Sequence, residues 1–265
     1  MAQHNATALG VTAAFDVRDV TQGTLPPADT LFYDPARRDD HGNRIHNVAD
    51  YIPPLSLIDA WRPNYNRLAV KLSPGVDLTQ VPYPTATLTF ISVNGDLKEA
   101  QLTFGGAQIP GLHALLLTPD GDYIYTPHDA HLSDLPPPAA PRRWLCEPDP
   151  SIIRAGYVAH LAAALGGAQL DHQIAYFTTD TAPVSPWVRS WEILDWMPFQ
   201  LKRLRAYLRQ HHVGRVTVKK RGSPLTPEIL TRKLKLKGDH ARTLILTRLN
   251  DDPIVLICHE MPQKG

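Results

Sequence analysis

The sequence predicts an α/β fold: the distal half of a doubly wound sheet with an antiparallel edge, followed by a compact α+β domain. Three observations predict it. Short apolar runs alternate with turn chemistry through the first half. The runs Thr87 to Val93 and Ala100 to Phe104 flank Asn94, Gly95 and Asp96, a strong hairpin signal. After the stiff connector Pro136, Pro137, Pro138 and Pro141, helical and strand patterns alternate at short spacing.

In chain order, Ala13 to Val20, Leu31 to Tyr33 and Leu68 to Leu72 read as strands ahead of the hairpin. Tyr51 to Asp59, with Pro53 and Pro54 before Leu55, Leu57 and Ile58, reads as a short helix with Pro near its start. Beyond the connector, Ser151 reads as the N-cap of one helix carrying Ile152, Ile153, Val158, Leu161 and Leu165, ending at Gly166 and Gly167. Strands follow at Ile174 to Thr178 and Val188 to Trp196, then a basic helix from Phe199 to Arg209. Gly214 to Lys220 alternates as a strand, and Thr226 caps a helix to about Leu236. Thr243 to Arg248 pairs with Ile254 to His259 across an Asp251, Asp252 turn. On a strand, Trp187, Trp191 and Trp196 read as core or as stacking platforms for bases.

No apolar run reaches the length of about 18 residues that spans a bilayer, and Met1 to Gly10 carries no export signal, so a cytoplasmic protein is expected. Cys146 and Cys258 have no paired spacing, which argues against a disulfide framework or structural zinc. His128, Asp129, His131 and Asp134 are metal-ligand types, but no further partner converges with them in the sequence, and no metal is expected.

The net charge of +1 conceals a strong separation. Between Pro198 and Arg242 there are 13 cations and only two carboxylates, Glu228 and Asp239, a local charge of +11 against −10 elsewhere. A basic lobe with so few acids to pair with points to a polyanion partner. Lys219, Lys220 and Arg221 end one strand, and Arg232, Lys233, Lys235 and Lys237 lie on or just beyond the next helix, so a basic groove between them is expected to contact nucleic-acid phosphates.

A second cluster follows Leu31 and Phe32. Tyr33, Asp34, Pro35, Ala36, Arg37 and Arg38 place an acid, a rigid Pro and two guanidiniums at the end of a buried strand. Ligands in open α/β sheets bind outside such carboxyl ends. Arg37 and Arg38 suit either a nucleic-acid phosphate or a surface salt bridge with Asp39 or Asp40.

These segments carry a resemblance. Phe32 through Arg38, Glu147-Pro148-Asp149-Pro150 before the Ile152 helix, and Val216 through Gly222 resemble a bacterial class I S-adenosylmethionine-dependent methyltransferase family with a C-terminal THUMP-like domain. The last of these, continuing through Leu234, Lys235, Leu236 and Gly238 to the run Thr243 to Arg248, is the most specific, and the resemblance covers nearly the whole chain. It implies a Rossmann-like methyltransferase sheet over 1–143, a small connecting ferredoxin-like segment over 144–185 and a THUMP-like domain over 186–262. The implied cofactor is S-adenosylmethionine, and RNA is the implied partner.

The resemblance also implies roles. Asp34 and the Pro35 carbonyl are similar to the acid and carbonyl that hold a target amine in amino-group methyltransferases, with Arg37 steadying the substrate backbone and Arg38 beside it. Ala36 and Arg37 stand where those enzymes carry a second Pro and an aromatic ring. Asp19 resembles the residue beside the cofactor's adenine, or else simply forms a turn. The strand end also resembles that of uracil-C5 RNA methyltransferases. Their Cys nucleophile is missing, however, and Ser73, Pro74 and Gly75 occupy that place, which argues against covalent chemistry. Family members open with a helical region and a Gly-rich cofactor loop; this chain opens on what resembles the later helix and third strand, so an N-terminal truncation or a separately encoded N-terminal half is expected. Gly105 and Gly106 follow the hairpin without a helix after them and do not replace that loop. The alternative function is a non-catalytic RNA-binding protein that retains the scaffold.

Overall fold

The architecture is α/β, as the alternation of apolar runs implies, with the helices few and short. The computed structural model describes residues 2–38, 41–43, 45, 47–126 and 135–259, and the chain divides into two units, 1–87 with 101–111 and 88–100 with 112–265.

In the first unit, α1 (Ala2–Ala8) buries no residue. The strand expected from Ala13 to Val20 is absent: residues 11–19 have no regular structure, and Val17 and Phe15 are exposed. Alternation favours a strand only where a neighbour supplies the ladder and a covering face, and among the described residues nothing pairs with this segment. The next two runs form strands as expected. β1 (Thr30–Tyr33) lies parallel to β2 (Arg67–Leu72), with Tyr33 opposite Val70, and β2 buries Leu68, Val70 and Leu72 on one face. Within this unit the order is β1, β2 and then the far end of β4 (Asp96–Gly105). Gly105, at φ +77°, is required there because a Cβ would come within 2.0 Å of the Asn66 carbonyl oxygen. The expected helix is α2 (Leu57–Trp61), shifted past Pro53 and Pro54, and it buries Ile58 and Trp61.

In the second unit, β3 (Thr87–Val93) turns into the start of β4 through Asn94 and Gly95, both at positive φ, as the type I′ hairpin requires. β5 (Gly111–Thr118) and β6 (Gly121–Tyr125) add a further antiparallel hairpin that the strand signals did not include. The connector around Pro136 to Pro141 lies inside this unit, with Ala139 N donating to Gln169 O at 2.8 Å.

Seven strands then form one sheet in the order β11-β12-β13-β10-β7-β9-β8. They are β7 (Trp144–Pro148), β8 (Ala168–Asp171), β9 (Ile174–Thr179), β10 (Val188–Pro198), β11 (Val213–Lys220), β12 (His240–Leu249) and β13 (Asp252–Cys258). Only β11 and β12 are parallel neighbours in this sheet. β10 joins the two parts: Val188 to Glu192 pairs with β7, and Ile193 to Pro198 with β13. The single helix expected after Ser151 is two helices. α3 (Pro150–Ala155) is capped by Asp149, whose carboxylate accepts from Ser151 N at 2.8 Å, and Gly156 at φ +80° ends it before α4 (Val158–Ala164). Asp149 outcompetes Ser151 as the cap because Pro150, lacking an N–H, is suited to the first helical position.

The basic helix is α5 (Leu201–Gln210), and Thr226 caps α6 (Pro227–Leu234). Their buried residues Leu204, Leu208, Leu230 and Leu234 pack with Leu244, Leu246, Val255 and Ile257 on one face of the sheet. The other face packs Leu145, Leu170, Tyr176, Trp191, Ile245 and Leu256. Trp187 and Trp191 are therefore core, while Trp196 is half-buried.

Candidate functional site

The chain leaves β1 with its direction fixed. Buried Tyr33 packs edge-on against Trp61, with ring centroids 5.1 Å apart, and its hydroxyl donates to the Pro53 carbonyl. Burial pushes this phenol up to about 12, so it stays a donor. Pro35, also buried, brings no N–H to the ladder and ends it. Ala36 then exchanges backbone hydrogen bonds with Ile52, at 2.8 and 3.2 Å, and turns the chain back.

A cleft of about 380 Å³ opens at this strand end, lined by Asp34, Pro35, Ala36, Arg37, Arg38, Ile45, Lys71 and Ser73. The structure thus brings together Asp34, Pro35, Arg37 and Arg38, and adds Lys71 and Ser73. Lys71 Nζ donates to Asp34 Oδ2 at 3.0 Å. The register accounts for this contact, since Tyr33 lies opposite Val70 and the next residues on each strand are Asp34 and Lys71. In the sequence Lys71 is the single cation of the apolar run Leu68 to Leu72, and nothing local marks its partner. Asp34 Oδ1 has no hydrogen bond among the described residues and is available to an incoming N–H. Arg37 is half-buried, and Arg38 Nη1 donates to Gly42 O at 2.7 Å. Asp39 and Asp40, the alternative partners of these guanidiniums, lie outside the described residues, as do His128, Asp129, His131 and Asp134. Among the described lining residues, Arg37 and Arg38 add two cations to the Lys71–Asp34 pair, a set that suits a molecule carrying an anion as well as an amine.

Asp19 does not join this site. It sits on an exposed turn, where its carboxylate accepts from Thr21 N at 2.9 Å, Thr21 Oγ1 at 2.6 Å and Gln22 Nε2 at 2.9 Å. The hydrogen bonds from Thr21 hold its pKa below the usual carboxylate value. The expected strand end is absent because the strand itself does not form. Neither cysteine is a nucleophile: both are buried in the seven-stranded sheet, and burial pushes Cys146 to about 11 and Cys258 to about 12.

The basic residues fall into two sets. Val216 and Val218 pack against the cluster containing the α5 and α6 leucines, so the even-numbered side chains of β11 face the helices and the odd-numbered ones face away. Lys219 Nζ stands 4.7 Å from the Trp191 ring centroid and Arg221 Cζ 5.5 Å from that of Tyr176, and both reach Glu147, at 3.9 and 3.2 Å. Burial lowers the Lys219 pKa, against the opposing pull of Glu147. Lys220, Arg232, Lys233, Lys235 and Lys237 are exposed. The single groove expected between the strand end and α6 is thus divided by the sheet, because successive strand residues alternate faces.

No helix among the described residues is long and apolar enough to cross a membrane, and no group of three or more metal-ligating side chains is present among them.

Residues 188–260 match the family model described as THUMP domain-like. Two proteins of Mycobacterium tuberculosis, from strains CDC 1551 / Oshkosh and ATCC 25618 / H37Rv, are each 33% identical over 255 residues, covering 94% of this chain and 68% of their own length. Both are described as uncharacterized S-adenosylmethionine-dependent methyltransferases. The crystal structure of a "putative methyltransferase" from Porphyromonas gingivalis W83 shares the fold with a TM-score of 0.67 at 24% identity, over 87% of this chain. The match spans 59% of that protein's chain.

Proposed function

This chain belongs to the S-adenosylmethionine-dependent methyltransferase family, and we propose that it positions an amino-group acceptor on RNA, held in place by its basic C-terminal domain. The observation that carries this reading is the Asp34–Lys71 pair at the mouth of a cationic cleft, directly before Pro35. Lys71 occupies one carboxylate oxygen and fixes the carboxyl plane. Oδ1 and the Pro35 carbonyl then accept the two N–H groups of an amine and orient its lone pair outward. Arg37 and Arg38 hold an adjacent phosphate. Orientation of this kind is the main protein contribution to a transfer that needs little acid–base chemistry.

S-adenosylmethionine is the family's cofactor, but the cleft does not fit it. Arg37 and Arg38 disfavour a ligand that carries a sulfonium and an ammonium, and Asp19 is engaged by its own turn. Among the described residues no glycine-rich turn leads from a strand into a helix. The cleft is therefore assigned to the acceptor, and its proposed setting is the cytoplasm.

The same Asp19 observation favours a second reading, an RNA-binding protein that retains the scaffold without catalysis. Calorimetric titration of S-adenosylmethionine separates the two, using this chain and a version extended through any upstream coding sequence. Cofactor binding, followed by transfer of labelled methyl groups to cellular RNA that is lost in Asp34→Ala, is the expected result. Binding by neither protein, or RNA labelling indifferent to Asp34, overturns the catalytic reading.

A further inference from the structure

Resting on the RNA reading, we infer that the RNA backbone lies along the seam between α5 and α6, held by a cationic stripe that includes Lys202 and Arg209, and not by the strand-end cations Lys219 and Arg221. Lys202, Arg205 and Arg209 are spaced three and four residues apart and so share one side of α5. Arg205 fixes which side that is: its Nε donates to the Lys233 carbonyl at 2.6 Å, so the stripe borders the last turn of α6, where Arg232 and Lys233 are exposed. Lys202 and Arg209 stand roughly 10 Å apart along the helix axis, far enough to reach more than one phosphate.

Partnering distinguishes the two sets of cations. Lys219 and Arg221 are committed to Glu147 and to the rings of Trp191 and Tyr176. Among the described residues, Lys202, Arg209, Arg232 and Lys233 form no salt bridge, and the only acids between Pro198 and Arg242 are Glu228 and Asp239. Unpaired, solvated cations are the ones that exchange counterions for phosphates. A membrane surface would also attract them, but a helix that enters a membrane interface needs a free apolar face. The leucines of both helices are buried against the sheet.

Fluorescence anisotropy with a labelled single-stranded RNA of about 20 nucleotides tests this on the full chain, from about 50 to about 200 mM salt. For Lys202→Ala/Arg209→Ala/Lys233→Ala, the slope of log affinity against log salt should become shallower by about 2, at about 0.7 per lost contact. Lys219→Gln/Arg221→Gln should keep the wild-type slope. Circular dichroism checks the fold of each variant, and single Lys202→Ala and Arg209→Ala substitutions, each removing about 0.7, give a second reading. A wild-type slope in the helix variants, or a loss confined to the strand pair, overturns the seam. Absence of salt-dependent RNA binding by the wild type overturns the RNA reading itself. Sedimentation with phosphatidylserine vesicles that depends on the three residues, without any effect on RNA, assigns the stripe to a membrane instead.

Discussion

Two carboxylates in this chain meet cations at strand ends, and their surroundings give them opposite roles. Asp34 meets Lys71 with its side chain 45% exposed, keeps one oxygen open and faces a cleft. Glu147 meets Lys219 and Arg221 at 21% exposure, and those cations also lie over the rings of Trp191 and Tyr176. An ion pair by itself therefore says little about function. An open acceptor beside empty volume can receive a ligand, as proposed for Asp34, whereas a pair sealed against aromatic core holds the scaffold together.

The largest expected effect lies at Trp191, under the Lys219 arm of the Glu147 pair. Trp191→Ala removes a buried platform from the core and is expected to cost about 3–5 kcal/mol, read from denaturant midpoints. A loss below about 1 kcal/mol would mean that the Glu147 side is not scaffold.

The thiols beside that scaffold sharpen the contrast through pH. Burial raises Cys146 from 9.0 to about 11 and Cys258 from 9.0 to about 12, so the unfolded chain gives up these protons first. Their contribution is fully present below pH 9.0 and is lost as the pH rises toward the folded values. Each thiol is expected to contribute a fall of about 2 kcal/mol between about pH 8 and about pH 11, about 4 kcal/mol for the pair, and this part of the fall is lost in Cys146→Ala/Cys258→Ala. A pH-independent midpoint would show that the thiols are accessible.

Glu147→Gln comes next, at about 1–2 kcal/mol, because two partly buried cations lose their counter-charge. The smallest stability effect belongs to the site: Asp34→Asn should change stability by less than about 1 kcal/mol, since the pair is exposed. Under the proposed function it should nevertheless lower methyl transfer to RNA by at least tenfold, measured as incorporated label. If the two carboxylates exchanged these phenotypes, the assignment of site and scaffold would be reversed.

What could be read from the sequence was local. Asn94 and Gly95 specify their hairpin because both turn positions need positive φ, and Thr226 caps α6 within a few residues of itself. Asp34, Pro35, Arg37 and Arg38 form a cluster visible in the sequence because they adjoin one another at the end of an apolar run. Segment 11–19 alternates as a strand does, yet with no strand paired to it among the described residues it remains irregular and exposed. After Asp149, likewise, the apolar stripe continues through Gly156 although the helical backbone does not.

Local sequence patterns alone specify the α/β class, the strand end at Asp34 and the basic segment from Pro198 to Arg242. The pairing of Lys71 with Asp34, the capture of Lys219 and Arg221 by Glu147, and the division of the basic residues between two faces of a sheet all arise from long-range packing. The reason is physical. Turns, caps and periodicity depend on residues a few positions apart, whereas the Lys71–Asp34 and Arg221–Glu147 pairs join residues 37 and 74 positions apart, and strand register alone brings them within reach.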